Sequence, residues 1–347
     1  MAQGHDDHTA GVSRRAALAR LAWGVGMVTA AARLPERWRP FGGAQAAQVP
    51  AIPVIVKDTT RPYWQAVLAG GRKAGEEAGI EIVALGGRTE ADAESQLAVL
   101  RNALAAKPAA LVIAPTQSAA LGAAIDEAAR NVKIIAVDSA AGAKALTTLV
   151  ATDNAAAGRM AADALGAAIQ RSYADAEGDV AIITPSAGVA ALDERAKGLT
   201  DQLAASYGAL AVVAHPVADG QAASGAKIMA ELIAAHSELR GVVALDFAMT
   251  QGAAQVLAKT PNNTTGDKIN LVGFDADDGV AQSLKDGVIA ALVLQDPFRM
   301  GYDGVKAALA AGRGEPVPAR IATATTLVTK ATMNSPRAQE LLAPKLK

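Results

Sequence analysis

The sequence predicts an α/β protein built as two lobes, each a doubly wound parallel sheet, and two observations support this. From Ile52 onward, short β-branched runs alternate with longer Ala-rich segments of helical period, the pattern of βαβ units around parallel sheets. The chain also has 347 residues, 51% of them hydrophobic, which is enough for two cores of ordinary domain size.

The alternation forms two successive series. The first predicts strands at Ile52–Val56, Ile80–Leu85, Ala110–Ile113 and Lys133–Val137, with helices near Pro62–Ala78, Glu90–Ala105 and Ser118–Ala129. The second predicts strands at Val180–Thr184, Ala211–His215, Gly241–Ala244, Ile269–Phe274 and Ile289–Leu294, with helices near Ala155–Tyr173, Leu192–Ser206, Gly220–Ala235 and Met249–Leu257. Each series supplies enough strands for one lobe.

The N-terminus has the pattern of an export signal. Arg14 and Arg15 precede an apolar run that is too short and too polar for a membrane-spanning helix. Paired arginines before such a run resemble a twin-arginine leader. Ala44, Gln45 and Ala46 offer a small-residue cleavage site. We therefore expect residues 1–46 to be a twin-arginine-type signal and the protein to be periplasmic. An N-terminal extension on a cytoplasmic protein is the alternative.

Composition and motifs argue against several function classes. The net charge is −1 and the main body has no basic block, so nucleic acid is not an expected partner. Cysteine is absent, and His215 and His236 lie too far apart in the sequence for a metal site. Lys57 to Thr60 stand where a glycine-rich dinucleotide turn would be. We expect no catalytic residue, no cofactor and no metal, and hence no enzyme.

Polar side chains gather where such sheets bind ligands, beyond the carboxyl ends of the strands. These loops and helix starts supply the residues that we predict to bind the ligand: Lys57, Asp58, Arg61, Tyr63, Trp64, Asp138, Ser139, Asp193, Asp246, Asp275 and Gln295.

Five motifs in order resemble one family. They are Arg61-Pro62-Tyr63-Trp64, similar to the family's Asn-Pro-Phe-Phe, then Ala114-Pro115-Thr116, Val137-Asp138, Ala151-Thr152-Asp153-Asn154 and Val272-Gly273-Phe274-Asp275. On these motifs, the chain from Ile52 to Lys330 resembles the periplasmic sugar-binding proteins of the ribose-binding type. Their ligand-binding cores are also similar to those of the lactose-repressor family.

The resemblance implies two lobes joined by a three-crossing hinge, with crossings near Asp153, Gln295 and Ala324. The lobes would comprise residues 47–152 with 296–324 and residues 153–295 with 325–335, followed by a tail at 336–347. It further implies hinge closure around a ligand that is then delivered to the permease of an ABC importer. We expect a monomer.

The chemistry of sugars suits this set of residues. Hydroxyls need carboxylate and amide partners, and the apolar side of a sugar ring needs an aromatic face. Tyr63 and Trp64 are expected to supply that face, with ordinary packing at a helix start as the alternative. Asp138, Asp246 and Asp275 are expected to accept from hydroxyls, with helix N-capping as the alternative.

Departures from the ribose pattern refine the expected ligand. That pattern has Ser at Lys57 and Asn at Asp246, and it has arginines at Ser139 and Asp193. Losing two cations argues against phosphorylated or carboxylated ligands, while Lys57 and Arg61 partly restore positive charge, unless both are solvated surface charges. A sugar other than ribose, a sugar alcohol, a cyclitol or an amino sugar fits this balance.

Two rivals share this fold. A sugar-responsive transcription regulator needs a helix-turn-helix before its core, and the first 50 residues make a poor DNA-reading element. A ligand-binding component for a chemoreceptor is compatible with every residue above and can coexist with transport.

Overall fold

A computed structural model describes residues 51–90, 92–116, 119–260 and 268–343 of the chain. The predicted export signal at 1–46 lies outside the described residues. Within them, twelve strands form two separate six-stranded sheets, each covered by helices.

In chain order, the strands are β1 Ile52–Val56, β2 Ile82–Gly86, β3 Ala110–Ile113, β4 Lys133–Val137, β5 Thr148–Thr152, β6 Gly178–Ile183, β7 Leu210–Ala214, β8 Leu239–Ala244, β9 Asn270–Phe274, β10 Ile289–Leu294, β11 Arg320–Thr323 and β12 Thr326–Thr329. The helices are α1 Pro62–Ala78, α2 Ala93–Ala105, α3 Ala119–Ala128, α4 Asn154–Tyr173, α5 Ala190–Ser206, α6 Ala222–Ala235, α7 Phe247–Leu257, α8 Asp278–Asp286, α9 Pro297–Gly312 and α10 Pro336–Leu342.

The two sheets repeat one topology. The first has the order β2-β1-β3-β4-β5-β11, and the second has the order β7-β6-β8-β9-β10-β12. Strand pairs in the first sheet are parallel, and in the second only β12 runs antiparallel, against β10. In each sheet the order reverses between two central strands, β1 and β3 or β6 and β8, and such reversals open a crevice at the carboxyl ends of the strands.

Continuous apolar runs explain the central strands. All five residues of β1 and all four of β3 are buried, as expected for strands covered by helices on both faces. In the first lobe, α1 and α9 cover one face of the sheet and α2 and α3 cover the other. In the second lobe, α4 and α5 cover one face, and α6, α7 and α8 cover the other.

The chain passes between the lobes three times, after β5, after β10 and between β11 and β12. These points lie beside Asp153, Gln295 and Ala324, where the resemblance places the crossings. The predicted fold class of two doubly wound lobes with a three-crossing hinge is confirmed.

Glycines bring two helices of the first lobe into close contact. A Cβ at Gly70 of α1 would lie 1.9 Å from the carbonyl oxygen of Phe298, and one at Gly301 of α9 would lie 1.8 Å from that of Val67. No side chain fits at either position, so α1 and α9 pack backbone to backbone. This contact fixes the start of α1 relative to the hinge crossing that precedes α9.

The C-terminal segment that we predicted as a tail contains the short helix α10. Ser335 caps it, and the side chains of Ala338 and Leu342 are buried in the core of the second lobe. None of the helices among the described residues has the length and apolar character needed to cross a membrane.

Candidate functional site

An ion pair joins two loops at the carboxyl edge of the first sheet. Lys57 follows β1 and Asp138 follows β4, and the Lys57 Nζ donates to the Asp138 Oδ2 at 2.7 Å. Both side chains are largely shielded, with exposed fractions of 16% and 19%. Asp138 has a φ of 68°, and its backbone N–H donates to the Val150 carbonyl. Non-glycine residues in this left-handed region store strain that often marks a functional position.

The two adjacent aromatic residues start α1 beside this ion pair. The rings of Tyr63 and Trp64 meet edge to face, with centroids 4.7 Å apart, and the Lys57 Nζ lies 5.0 Å from the centroid of the Trp64 ring. Trp64 is only 3% exposed and packs into the core of the first lobe. The packing alternative is therefore realised for most of the Trp64 side chain, while one side of its ring borders the Lys57 ammonium.

Tyr63 packs against the core of the first lobe. Its hydroxyl donates to the Met300 sulfur at 3.6 Å. Burial raises the pKa of Tyr63 well above its ordinary value, and the negative charges of Asp138 and Asp275 raise it further. Asp138 follows a strand of the first sheet and Asp275 a strand of the second, so carboxylates of both lobes act electrostatically on this phenol.

Asp246 follows β8 and caps α7. Its Oδ1 accepts from the backbone N–H of Met249 at 2.9 Å, which is the N-capping alternative. Burial raises the pKa of Asp246 to about 6, although the Met249 hydrogen bond opposes that rise, and the nearby negative charge of Asp275 adds to it. Two predicted site carboxylates thus lie close enough to repel each other.

Asp275 follows β9 and is held by a hinge residue. Gln295 donates through Nε2 to the Asp275 Oδ2 at 2.9 Å, and its Oε1 accepts from the Thr152 hydroxyl at 2.8 Å. Thr152 ends β5, so this chain of hydrogen bonds spans two crossings of the hinge. Burial raises the pKa of Asp275, whereas the positive charge of Arg195 and the Gln295 hydrogen bond lower it. Asp277, not Asp275, caps the following helix.

The other predicted residues have local roles or lie at the periphery. Asp58 accepts from the backbone N–H and hydroxyl of Thr60, at 2.6 and 2.7 Å, which closes a tight turn. Burial acts to raise the pKa of Asp58, but these hydrogen bonds outweigh it and the pKa is lowered. The hydroxyl of Ser139 donates to the Pro115 carbonyl. Arg61 is exposed just before α1, and Asp193 is exposed in the first turn of α5.

Two buried polar residues, Arg195 and Gln96, and the half-buried Glu90 shape the site without having been predicted as part of it. Arg195 donates to the Asn154 Oδ1 and the Leu245 carbonyl, both at 2.8 Å, and stacks on Phe274. Glu90 accepts from the indole N–H of Trp64, and Gln96 bonds to loop backbone after β3. An arginine two positions after Asp193 was visible in the sequence, whereas no sequence signal pairs Glu90 or Gln96 with the site.

No group of three or more potential metal ligands occurs in the part of the chain that the structure describes. The arrangement can instead present charged acceptors from two lobes and an aromatic edge to a molecule lying between them. These are the groups that bind hydroxyls and a sugar ring.

Comparisons with known proteins agree with this geometry. The family model described as a periplasmic binding protein domain matches residues 52–316. The chain is 48% identical to a carbohydrate transporter solute-binding protein from Agrobacterium radiobacter, crystallised with D-arabinose; the match covers 85% of this chain and 99% of that one, with a TM-score of 0.78. A solute-binding protein from Agrobacterium vitis with bound D-fucose is 28% identical, covering 84% and 99%, with a TM-score of 0.72.

A curated relative extends the comparison. The ribose import binding protein of Escherichia coli is 28% identical over 288 residues, covering 83% of this chain and 93% of the relative. The chain therefore belongs to the periplasmic binding protein domain family, as a ribose-type sugar-binding protein of the kind that serves ABC importers.

Proposed function

We propose that this protein captures a neutral sugar, with a pentose such as D-arabinose as the first candidate, between its lobes and delivers it to an ABC importer. The observation that carries the proposal is the chain of hydrogen bonds between the two sheets. The Thr152 hydroxyl at the end of β5 donates to Gln295, whose amide donates to Asp275 after β9. The identity of the sugar follows the 48% identical relative crystallised with D-arabinose.

Each lobe has its own part in the proposed binding. In the first lobe, Tyr63 and Trp64 provide the aromatic surface, and Lys57 donates to the sugar while holding Asp138 in place. In the second lobe, Asp246 and Asp275 accept from hydroxyls.

The remaining predicted residues have supporting parts in the proposal. Gln295 orients Asp275 and reaches the ligand, while Ser139, Asp58, Arg61 and Asp193 border the site.

Closure about the hinge completes the proposed mechanism. A sugar that contacts both lobes binds the closed arrangement better than the open one, so it shifts the population toward closure by that difference in affinity. The hydrogen-bond chain from Thr152 through Gln295 to Asp275 lies at the crossings, so the hinge and the site share side chains. No covalent bond is made or broken in this proposal.

The family is one of periplasmic transport proteins. Our proposal also covers the export route, the bounds of the lobes and the oligomeric state of this chain. Paired Arg14 and Arg15 support export by the twin-arginine route. We propose that the lobes comprise residues 47–152 with 296–324 and residues 153–295 with 325–335, with α10 of the predicted tail packed on the second lobe, and that the protein acts as a monomer. The same closed, ligand-bound form would also be able to bind a chemoreceptor and signal that the ligand is present.

A thermal-shift screen of the purified protein tests the ligand class. The panel contains D-arabinose, other pentoses, hexoses, sugar alcohols, inositols and amino sugars. A ligand that binds only the folded state raises Tm, by an amount equivalent to about 2.7 kcal/mol at a hundredfold excess over Kd. A selective rise with pentoses supports the proposal. If folded protein shown to be free of co-purified ligand responds to none of them, the sugar assignment fails.

A further inference from the structure

Three groups fix the indole of Trp64. Its Nε1 donates to the Glu90 Oε1 at 2.5 Å, the Lys57 ammonium lies over its ring, and Tyr63 meets it edge-on. Glu90 is 26 residues away in the sequence, in the loop between β2 and α2. A carboxylate that accepts from an indole N–H makes a charge-assisted hydrogen bond, which restricts rotation of the ring.

Glu90 is itself anchored to the sheet. Its backbone carbonyl accepts from the Thr116 hydroxyl at 3.0 Å, and the Thr116 backbone N–H donates to the Gln96 Oε1 at 2.7 Å. Gln96 is completely buried, and its Nε2 donates to the carbonyls of Val56 and Ala114 at 3.1 and 2.9 Å. Val56 ends β1 and Ala114 follows β3, so this network runs from the two strands at the order reversal to the indole.

We propose that Glu90 is a positioning residue for sugar binding, which fixes the orientation of the Trp64 ring and is held in turn by Thr116 and Gln96. The proposal rests on the proposed function, in which Trp64 forms part of the aromatic surface. Stacking depends on the angle between the ring and the sugar, and a ring fixed in advance loses less entropy on binding. The network therefore organises the first half of the site before the ligand arrives.

Tryptophan fluorescence reports this role directly. The sequence contains three tryptophans, Trp23, Trp38 and Trp64. In the full chain carrying Trp23→Phe and Trp38→Phe, all tryptophan emission comes from Trp64. Acrylamide quenching and emission anisotropy of the ligand-free protein then measure the mobility of this indole, and titration with D-arabinose measures affinity.

Four variants of that parental chain separate the roles. Glu90→Gln keeps an acceptor oxygen for the indole, Glu90→Ala removes it, and Thr116→Val removes only the hydrogen bond to the Glu90 carbonyl. Glu76→Ala is the matched control, because Glu76 is exposed on α1, the helix that carries Trp64. Thermal unfolding confirms that each variant folds, and Thr116→Val is the milder substitute should the alanine variant not fold.

The expected result is a graded one. For Glu90→Ala we expect the quenching constant to rise at least twofold and the D-arabinose affinity to fall at least tenfold. Glu90→Gln should stay within about threefold of the parental chain in both measurements, Thr116→Val should be intermediate, and Glu76→Ala should be unchanged.

Two results overturn the proposal. One is a Glu90→Ala protein with parental quenching. The other is equal loss of affinity in Glu90→Ala and Glu90→Gln with no change in quenching. If the parental chain binds no sugar of the screen, the proposed function fails, and quenching of the ligand-free protein still decides whether Glu90 holds the indole.

Discussion

The carboxyl edge of the first sheet pairs its charges, whereas that of the second sheet crowds carboxylates together. At the first edge, Lys57 neutralises Asp138 and borders an aromatic ring. At the second edge, burial and mutual repulsion raise the pKa of Asp246 to about 6, and burial raises that of Asp275. The first edge thus has its charges paired without a ligand, whereas the carboxylates of the second edge carry a cost of burial.

This contrast assigns different tasks to the lobes in the proposed mechanism. A preformed half can receive the ligand while the lobes are apart. The other half gains most from closure, because hydroxyl donors would then offset the cost of burying its carboxylates.

Removing the charge of Asp275 tests the second edge. We expect Asp275→Asn to weaken sugar binding by roughly 10- to 100-fold, since a hydrogen bond to a charged acceptor contributes about 1.5–3 kcal/mol. Burial raises the pKa of Asp275, which means that the charged carboxylate destabilises the folded protein. Because a neutral amide removes this destabilisation, Tm should stay unchanged or rise. Calorimetric titration measures the affinity. Asp278→Asn, on the exposed first turn of α8, is the control, and parental affinity in the Asp275 variant would contradict the assignment.

Removing the ammonium of Lys57 tests the first edge. Lys57→Met leaves Asp138 without its ion-pair partner, and we expect it to lower sugar affinity roughly 10-fold and stability by about 1–3 kcal/mol. Urea unfolding and calorimetry measure the two quantities. Lys197→Met breaks an exposed pair with Asp201, so its effect on stability should stay below about 0.5 kcal/mol. Equal effects of the two lysine variants would show that the shielded pair has no special role.

The pH dependence of sugar binding tests Asp246. Because burial raises its pKa to about 6, lowering the pH from 7.5 to 5 protonates this acceptor, and we expect affinity to fall by roughly 3- to 10-fold. Asp275, whose pKa is also raised, and the positively charged Arg195 share this environment. In Asp246→Asn, which keeps a good N-cap residue, the dependence should flatten. A parental pH profile in that variant would exclude Asp246 as the titrating group.

The same group gives a stability signature of definite sign. The folded protein holds the Asp246 proton more tightly than the unfolded chain does, since the folded pKa of about 6 exceeds the ordinary value of 3.8. Its contribution to stability is therefore fully present below the unfolded pKa and is lost as the pH rises through about 6. Asn at this position does not titrate. As the pH rises from 3.8 through about 6, the Tm of the parental protein should therefore fall relative to that of Asp246→Asn.

An ion pair between the lobes should have the smallest effect. Arg320 of β11 donates to Glu194 of α5 at 3.3 Å, with both side chains more than 40% exposed. We expect Glu194→Gln to change sugar affinity by less than about threefold, since exposed pairs contribute about 0–1 kcal/mol. A tenfold change in titration would mean that this contact, rather than the two sheet edges, sets the closing equilibrium.

The fold was predictable because its signals are local. Continuous apolar runs such as β1 and β3 reveal central strands, and an Asp directly after such a run marks the carboxyl end of a strand. The sequence did not reveal β5, β11 and β12, which are short and begin or end in Thr or Arg. Such edge and crossing strands form because neighbouring strands offer backbone partners, and that information is not local.

Within the site, the sequence indicates the contacts that a residue makes with its near neighbours in the chain. The cap at Asp246 was predicted as an alternative, because Asp after a strand is a common N-cap residue. The turn at Asp58 was not predicted, although Asp is a typical turn residue. The contact of Glu90 with Trp64 and the stacking of Arg195 on Phe274 arise only when distant segments meet. Tertiary neighbours determine these pairs, so a single sequence gives no signal for them.

The backbone contact between α1 and α9 makes the two helices move as one rigid body. Gly70 and Gly301 lock the helices together, and Met300, one turn into α9, touches Tyr63 at the start of α1. A rotation at the crossing before α9 would therefore move α1 together with α9, and the Met300 side chain connects this movement to the Tyr63 phenol. A larger residue at either glycine would separate α1 from α9. The hinge could then turn without moving Tyr63 and Trp64 toward the sugar.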